Sequence, residues 1–223
     1  MRRLICFILC VCLLGIPVRG ASGEKYVALT FDDGPSGRFT RRLLEGLEER
    51  NVKATFLLCG YRLKDYPDTA KAIFHAGHEI GLHGYSHKDM GKMTQAQAAK
   101  EIADTMALLP ESCKPAFLRP PGGSGGEGVT AAAKKAGLAL LTWSVDPRDW
   151  ANHNAAAVEA AVVDTVRDGD IILLHDMCDC SVDAALAIID RLQTQGFRFV
   201  TVSELAAIRG ITPQPGKTYC RFR

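Results

Sequence analysis

The chain has 223 residues, of which 47% are apolar and 23% charged, a composition that suits one globular domain with a sizeable core and excludes a disordered or fibrous chain. Its formal charge is +2, from 27 basic and 25 acidic residues, and neither sign forms a long run. This even distribution argues against a surface that follows nucleic-acid phosphates, so nucleic acid is not an expected partner.

The N-terminus has the layout of a secretory signal peptide. Arg2 and Arg3 precede the uncharged apolar stretch 4–18, and the small residues 20–22 follow it. The stretch is shorter than the roughly 20 residues that span a bilayer as a helix, so we predict that 1–21 is a cleaved signal, with an uncleaved anchor as the alternative. In both cases the rest of the chain is expected to be exported, extracellular or associated with the cell envelope. If the signal is cleaved, no stable membrane contact is expected.

From residue 26 onward, short apolar runs alternate with helical patterns, which predicts repeated strand–helix units around a parallel sheet. The predicted strands are 26–31, 54–58, 78–81, 116–118, 138–142, 171–174 and 197–200. The predicted helices are 40–50, 67–76, those that begin near 94, 128, 154 and 182, and 203–209. Thr94 with Gln97, and Thr201 with Glu204, form capping boxes that support two of these helices.

About seven strand–helix units predict an α/β fold, an irregular or incomplete (β/α) barrel that falls short of the full eight. We assign 22–210 to one catalytic domain and 211–223, which contains Pro213 and Pro215, to an irregular C-terminal extension. In such barrels the functional side chains lie in loops at the carboxyl ends of the strands. Polar residues that directly follow each strand are therefore the candidates.

The cysteines suggest a disulfide. Three of the eight fall within the predicted signal, and five follow it, so at least one thiol of the exported chain stays unpaired or pairs with another molecule. Cys178 and Cys180 are separated by one residue, which resembles neither a four-cysteine zinc site nor a redox pair with two-residue spacing. We expect a loop disulfide from this pair to Cys113 or Cys220.

Two acids and two histidines predict a metal centre. Asp32 and Asp33 follow the first strand, and because successive strand residues point to opposite faces, both enter one pocket only at a turn, which 34–35 supply. An exposed acidic turn is the alternative. His83 and His87 are four residues apart after another strand, a spacing that suits one metal ion, although loop histidines are more often unligated. Combined with Asp33, they form the two-histidine, one-carboxylate set of a catalytic zinc site with a position open for water.

Three later segments also follow predicted strands. Arg119 lies in a loop stiffened by prolines, where a buried arginine can orient a carboxylate; a solvated surface turn is the alternative. The segment 143–150 contains two acids and two tryptophans, and His175 follows the strand 171–174. A single histidine in such a place is usually structural, so these segments indicate a functional site mainly when they are considered together.

In order, these segments resemble the motifs of the polysaccharide deacetylases of carbohydrate esterase family 4, over about 26–209. The stretch 30–35, Thr-Phe-Asp-Asp-Gly-Pro, is like the family's first motif without a change and is the most specific match. The resemblance implies a metal-dependent hydrolase that removes N-acetyl groups from a polysaccharide with N-acetylglucosamine units, peptidoglycan or a chitin-like polymer, and releases acetate. It implies one divalent metal ion as cofactor, with Zn2+ favoured by the two-histidine, one-carboxylate set.

The first three motifs imply the base and its surroundings. By resemblance, Asp32 is the general base, and Asp33, His83 and His87 are the metal ligands. Arg119 is implied to orient the base.

The last two motifs imply the acid and the walls of the pocket. His175 is implied to be the general acid, with Asp146 as the carboxylate that pairs with it. Trp150 helps to wall the pocket, and Leu173 forms part of the site for the acetyl methyl group. The main-chain N–H of Gly122, in the third motif, is implied to stabilise the oxyanion.

Two positions depart from the family pattern. Gly122 stands where an aromatic residue is usual, so it keeps the N–H but offers no side-chain wall, and Gly84 stands where serine or threonine is usual. The absent hydroxyl at position 84 removes a hydrogen bond that would order the histidine loop. Two alternatives stay open: an acetyl esterase acting on O-acetylated polysaccharide, because the same metal and base can cleave an ester, and, from the altered loop 119–123, a non-catalytic carbohydrate-binding or zinc-stabilised protein.

Overall fold

The computed structural model describes residues 23–223, so the predicted signal peptide at 1–21 lies outside the described residues. The strands are β1 (Lys25–Asp32), β2 (Thr55–Leu58), β3 (Glu79–Leu82), β4 (Phe117–Leu118), β5 (Ala139–Leu141), β6 (Ile171–His175), β7 (Phe197–Val200) and β8 (Thr218–Tyr219). The helices are α1 (Arg38–Glu49), α2 (Gly60–Asp65), α3 (Pro67–His75), α4 (Gln95–Met106), α5 (Glu127–Lys135), α6 (Ala155–Val163), α7 (Asp179–Thr194) and α8 (Val202–Ile208). Within this range, no helix combines the length and apolar character needed to cross a membrane.

The strands form one parallel sheet in the order β6-β1-β2-β3-β4-β5-β8, and β7 pairs with the first half of β1. Beyond β5, Val145 forms an isolated parallel bridge with Ile172 of β6, which brings the two ends of the sheet together. A second isolated bridge, antiparallel, joins Arg221 beyond β8 to Asp170 before β6, so within the described part of the chain the barrel closes only through irregular contacts. This architecture confirms the predicted irregular (β/α) barrel.

The two faces of β1 show how the core is divided. Val27, Leu29 and Phe31 point outward into a large cluster packed beneath the surrounding helices, whereas Ala28 points into a second cluster with side chains from β2, β4, β5 and β6. Because strand side chains alternate, Thr30 faces the same interior side as Ala28. The barrel interior thus changes from apolar to polar along β1 toward its carboxyl end.

Helix boundaries follow local signals where those signals are strong. The capping boxes predicted at Thr94 and Thr201 are both present, with Gln97 and Glu204 as the reciprocal partners. Helix α2 was not predicted, because six residues are too few to show a helical period. Its first N–H groups, which have no partner inside the helix, donate to the loop after β3.

The C-terminal segment 211–223 is more ordered than an irregular extension. Thr218 and Tyr219 form β8 by pairing with β5, and the Tyr219 ring stacks on Phe222 with a centroid distance of 5.2 Å. Phe222 is fully buried and belongs to the interior cluster. Pro213 and Pro215 indicate irregular backbone at the start of the segment, but they carry no information about residues 218–223.

The expected disulfide is not formed: among residues 23–223, all five cysteines are free thiols. Cys178 is the N-cap of α7, and its sulfur accepts a hydrogen bond from the Ser181 N–H at 3.4 Å. The Cys180 sulfur lies 3.6 Å from the carbonyl oxygen of Asn152. Cys178 and Cys180 therefore contact Ser181 and Asn152, and neither is bonded to Cys113 or Cys220.

Candidate active site

The register of the sheet brings the predicted site residues to one edge. Asp32 at the end of β1 lies beside His175 at the end of β6, since their Cα atoms are partners in the β1–β6 ladder. The N–H of His83 donates to the carbonyl of Leu58, and the N–H of Arg119 donates to the carbonyl of Leu82, so each residue comes one step after its strand. The carboxyl ends of four parallel strands thus carry the polar groups, as barrels of this type require.

Asp32, the last residue of β1, and Asp33, which follows it, both line the same cavity. Asp32 is buried with its side chain on the interior face, and Asp33 adopts a left-handed φ of +71°. That conformation breaks the strand's alternation, which would otherwise send the Asp33 side chain outward among the helices. The predicted turn therefore brings Asp32 and Asp33 into one pocket, as expected.

Arg119 is fully buried behind Asp32. Its Nη1 lies 2.6 Å from Asp32 Oδ1 and donates to Thr30 Oγ1 at 2.8 Å, and its Nη2 donates to the carbonyl oxygen of Thr142 at 3.0 Å. Three acceptors, two on β1 and one directly after β5, leave the guanidinium little freedom, so it holds the Asp32 carboxylate in one orientation and balances its charge.

The two histidines converge on Asp33. Nε2 of His83 lies 3.3 Å from Asp33 Oδ1, and Nε2 of His87 lies 2.9 Å from the same oxygen. One potential ligand atom from each of the three residues falls within 4.8 Å of the others. Burial alone would raise the pKa of Asp33, but the neighbouring imidazoles hold it well below its usual range.

The chemistry of these donors fits a divalent metal ion. Nδ1 of His83 is 2.7 Å from the carbonyl oxygen of Arg119, an atom that can only accept a hydrogen bond. Nδ1 therefore carries the proton, and in the neutral ring Nε2 has a free lone pair that faces Asp33. Two imidazole nitrogens and one carboxylate are a common ligand set for catalytic zinc, and three protein ligands leave a position open.

Asp149, not Asp146, is the partner of His175. Asp149 is fully buried; its Oδ1 lies 2.8 Å from His175 Nδ1, and its Oδ2 accepts the His175 N–H at 2.9 Å. Asp146 is exposed at the rim, and its Oδ1 accepts the N–H of Arg148 at 2.8 Å. This local turn, with Arg148 at a φ of +55°, reverses the chain and directs Asp149 inward. The prediction for Asp146 is therefore wrong about the pairing.

His175 is suited to carry a proton at neutral pH. Burial would lower the pKa of its imidazole, but the hydrogen bond to Asp149 and the negative charges of Asp149, Asp32 and Asp33 raise it to about 9. Its Nε2 remains on the cavity side, 4.0 Å from Asp33 Oδ2. The ring can therefore present a proton to a molecule bound in the cavity.

A cavity of about 440 Å³ unites these groups. The residues that line it are Asp32, Asp33, His83, His87, Gly122, Trp143, Asp146, Trp150, Leu173 and His175. Every predicted site residue except the buried Arg119 is therefore part of its wall. Trp143 lines the wall too, although no specific role is predicted for it; its position directly after the predicted strand 138–142 is the available signal.

The cavity is open beside Gly122. This residue has a φ of +64°, and a Cβ added there would meet only Ser124 Oγ, at 3.8 Å. Trp150 stands on the rim with 56% of its surface exposed, whereas Leu173 is buried. The wall therefore combines an exposed aromatic ring with a small apolar patch, groups that commonly line ligand-binding sites.

Comparison with known proteins identifies the family. Residues 19–141 match the family model described as polysaccharide deacetylase. The chain is 39% identical over 190 residues to a peptidoglycan-N-acetylglucosamine deacetylase of Bacillus cereus, covering 82% of this chain and 89% of that protein. It is 35% identical over 188 residues to the peptidoglycan-N-acetylmuramic acid deacetylase PdaC of Bacillus subtilis, covering 83% of this chain but 40% of PdaC.

A solved structure agrees with this relationship. The family 4 acetyl xylan esterase of Clostridium thermocellum, determined with a cobalt ion, has a TM-score of 0.82 and 35% identity and covers 88% of this chain and 98% of its own. Sequence and fold therefore lead to the same family. The chain belongs to the polysaccharide deacetylases and is a deacetylase hydrolase.

Proposed function

We propose that this protein removes N-acetyl groups from an amino-sugar polysaccharide in a reaction that depends on a divalent metal ion. One observation carries the proposal: a carboxylate fixed by a buried arginine, three side chains that could hold one metal ion, and a histidine paired with a buried carboxylate face one cavity. A base, an acid and an open metal position are the components of metal-assisted amide hydrolysis. A protein that only binds carbohydrate has no use for all three.

Asp33, His83 and His87 are the residues that would hold the metal. When bound there, a divalent ion supplies Lewis-acid chemistry, because it polarises an amide carbonyl and lowers the pKa of water. Two nitrogens and one oxygen favour zinc, and cobalt and nickel suit the same donors. Arg119 supports this site through its main chain, because its carbonyl fixes the ring of His83.

The protein's own groups provide the proton transfers. Asp32, oriented by Arg119, takes a proton from the attacking water. His175, held by Asp149, gives a proton to the departing nitrogen, so the products are acetate and a free amino sugar. The N–H of Gly122 donates to the carbonyl oxygen as that oxygen gains negative charge.

We propose a polymer with N-acetylglucosamine units, peptidoglycan in particular, as the substrate. The Bacillus cereus relative is named for that activity and shares 39% identity. Trp150 on the rim offers a face for the apolar side of a sugar ring, and Leu173 offers an apolar contact for the acetyl methyl group. A cell-wall substrate also agrees with export, which we propose from the signal predicted at 1–21.

Acetyl ester hydrolysis is the second candidate. The acetyl xylan esterase of Clostridium thermocellum matches this fold over 88% of the chain at 35% identity. An ester has a better leaving group than an amide, so the same base and metal are sufficient to cleave it. No side chain lies close beside Gly122 in the cavity, so neither an N-acetylglucosamine unit nor an acetylated xylose unit is excluded there.

The decisive experiment measures acetate released by the purified protein. N-acetylglucosamine oligomers, peptidoglycan and acetylated xylan are offered in parallel, with the metal present, removed by a chelator and restored with zinc. We expect metal-dependent release from the first two substrates. Release from acetylated xylan alone would favour the esterase.

Two variants test the roles of the residues. Asp32→Asn should retain zinc and lose turnover, and His83→Ala should lose both. If wild-type protein binds zinc but releases no acetate from any of the three substrates, the protein is a non-catalytic binder. Turnover by Asp32→Asn would show that the base is assigned to the wrong residue.

A further inference from the structure

Glu101, a half-buried residue of α4, contacts the loop that carries the two histidines. Its Oε2 accepts the main-chain N–H of Tyr85 at 2.7 Å and that of Ser86 at 2.8 Å. Its Oε1 accepts the Ser86 hydroxyl at 2.8 Å. One carboxylate therefore receives three hydrogen bonds from two successive residues between His83 and His87.

The opposite side of the same loop is also held. The carbonyls of Gly84 and Tyr85 accept hydrogen bonds from the N–H groups of Gly60 and Tyr61, at 2.9 and 3.0 Å. Those donors are the first residues of α2, so a helix start satisfies the loop's carbonyls while Glu101 satisfies its N–H groups. The loop is therefore held between the N–H donors at the start of α2 on one side and the Glu101 carboxylate on the other.

The two histidines depend on this loop to different degrees. His83 follows β3 directly, is buried and is fixed by the carbonyl of Arg119. His87 is half-exposed and lies at a φ of +55°, a conformation that non-glycine residues adopt rarely. Its position is therefore set mainly by the path of the main chain from Gly84, which Glu101 restrains.

Gly84 makes room for the carboxylate. It has a φ of +75°, and a Cβ added there would lie 3.4 Å from Glu101 Oε2 and 3.3 Å from Met90 Sδ. A Cβ there would touch Glu101 Oε2 and lie tight against Met90 Sδ, so glycine leaves the carboxylate unobstructed beside the two N–H groups. The serine or threonine usual in the family is absent at position 84, and the Glu101 carboxylate makes hydrogen bonds with the loop here.

We infer that Glu101 is a positioning residue for the metal centre: it holds the 83–87 loop in the shape that directs His87 toward Asp33. Its role at the metal holds only if the site binds metal as proposed above. Its hold on the loop is a property of the metal-free protein as well, since all three hydrogen bonds involve protein atoms alone.

Four variants test the inference. Glu101→Gln keeps an oxygen for the two N–H groups and an amide that can donate to the Ser86 hydroxyl, whereas Glu101→Ala removes every contact. Asp104→Ala is the matched control, because it removes a carboxylate from the same helix that pairs only with Lys100 among the described contacts. Ser86→Ala removes the hydroxyl hydrogen bond and keeps both main-chain N–H donors.

Two measurements are made on each variant: zinc affinity, by competition with a chelator, and amide hydrogen exchange of Tyr85 and Ser86 in metal-free protein. We expect Glu101→Ala to bind zinc about 10- to 100-fold more weakly and to lose protection at both amides. Glu101→Gln should stay within a few-fold of wild type, Ser86→Ala should fall between them, and Asp104→Ala should match wild type.

The outcomes separate this inference from the proposed function. Wild-type affinity and protected amides in Glu101→Ala would overturn the role of Glu101. Equal losses in Glu101→Ala and Asp104→Ala would overturn it too, because they would reflect general loosening of α4. If the wild-type protein binds no zinc, the proposed metal site fails, and the amide exchange still decides whether Glu101 holds the loop.

Discussion

Arg119 contacts both Asp32 and His83, through two different parts of one residue. Its side chain lies 2.6 Å from Asp32 Oδ1, and its carbonyl oxygen accepts the hydrogen bond from His83 Nδ1 at 2.7 Å. The loop after β4 therefore sets the orientation of a carboxylate and the tautomer of an imidazole together. A substitution of the side chain should separate the two effects, because the carbonyl stays.

Arg119→Lys should lower kcat strongly while zinc binding persists. Lysine retains a positive charge but cannot reach Thr30, Asp32 and the Thr142 carbonyl together, so Asp32 loses its fixed orientation. We expect a loss of about 100-fold in acetate release. Zinc content measured on the same sample is the control, and its loss would show that the side chain also supports the metal ligands.

Asp149→Asn and Asp146→Asn form a matched pair. The first removes the negative charge that stabilises protonated His175, and we expect kcat to fall by about 100-fold or more. The second alters an exposed rim residue, and its kcat should stay within about threefold of wild type, since exposed carboxylates have weak electrostatic effects. Steady-state kinetics at saturating zinc decide between them. The reverse order would make Asp146 the functional partner in solution.

His78 should make the protein less stable in mild acid. It is buried, its Nδ1 accepts the Ala54 N–H at 3.2 Å, and burial, with a smaller contribution from Lys53, lowers the pKa of its imidazole to about 4. Between about pH 6.5 and pH 4, His78 is protonated in the unfolded chain and neutral in the folded chain. The free energy of unfolding therefore falls as the pH falls. The full effect is about 3 kcal/mol.

Urea unfolding at pH 7 and pH 5 measures this dependence. His78→Gln removes the titrating group and should reduce the difference between the two pH values. His75→Gln, on the exposed side of α3, is the control and should leave that difference as in wild type. An unchanged difference in His78→Gln would mean that other groups cause the acid sensitivity.

Phe222→Ala should destabilise the fold although it lies next to the C-terminus. The ring is fully buried, stacks on Tyr219 and packs into the barrel interior. Loss of a buried phenylalanine side chain costs about 3–5 kcal/mol, measured as the free energy of unfolding in urea. Arg221→Ala, at an exposed neighbouring position, should cost less than about 0.5 kcal/mol. Equal stability of the two variants would mean that the tail is not part of the core.

The local patterns of the sequence were sufficient for much of this protein. The strand–helix alternation, the capping boxes at Thr94 and Thr201, and the acids and histidines at strand ends all follow from interactions between residues close in the chain. Such interactions have a fixed spacing, so the spacing predicts them. The cluster of Asp33, His83 and His87 was predictable because parallel strands bring their carboxyl ends to one edge.

Only the tertiary structure decided which groups become partners over long distances. Asp149 pairs with His175 because a turn at Arg148 directs it inward, and Asp146, three residues earlier, has the same chemistry but remains at the rim. Burial of Phe222 likewise depends on the space left inside the barrel. Both outcomes result from packing and from the exclusion of water. Packing depends on how the whole sheet is assembled, so the spacing of residues along the chain does not predict it.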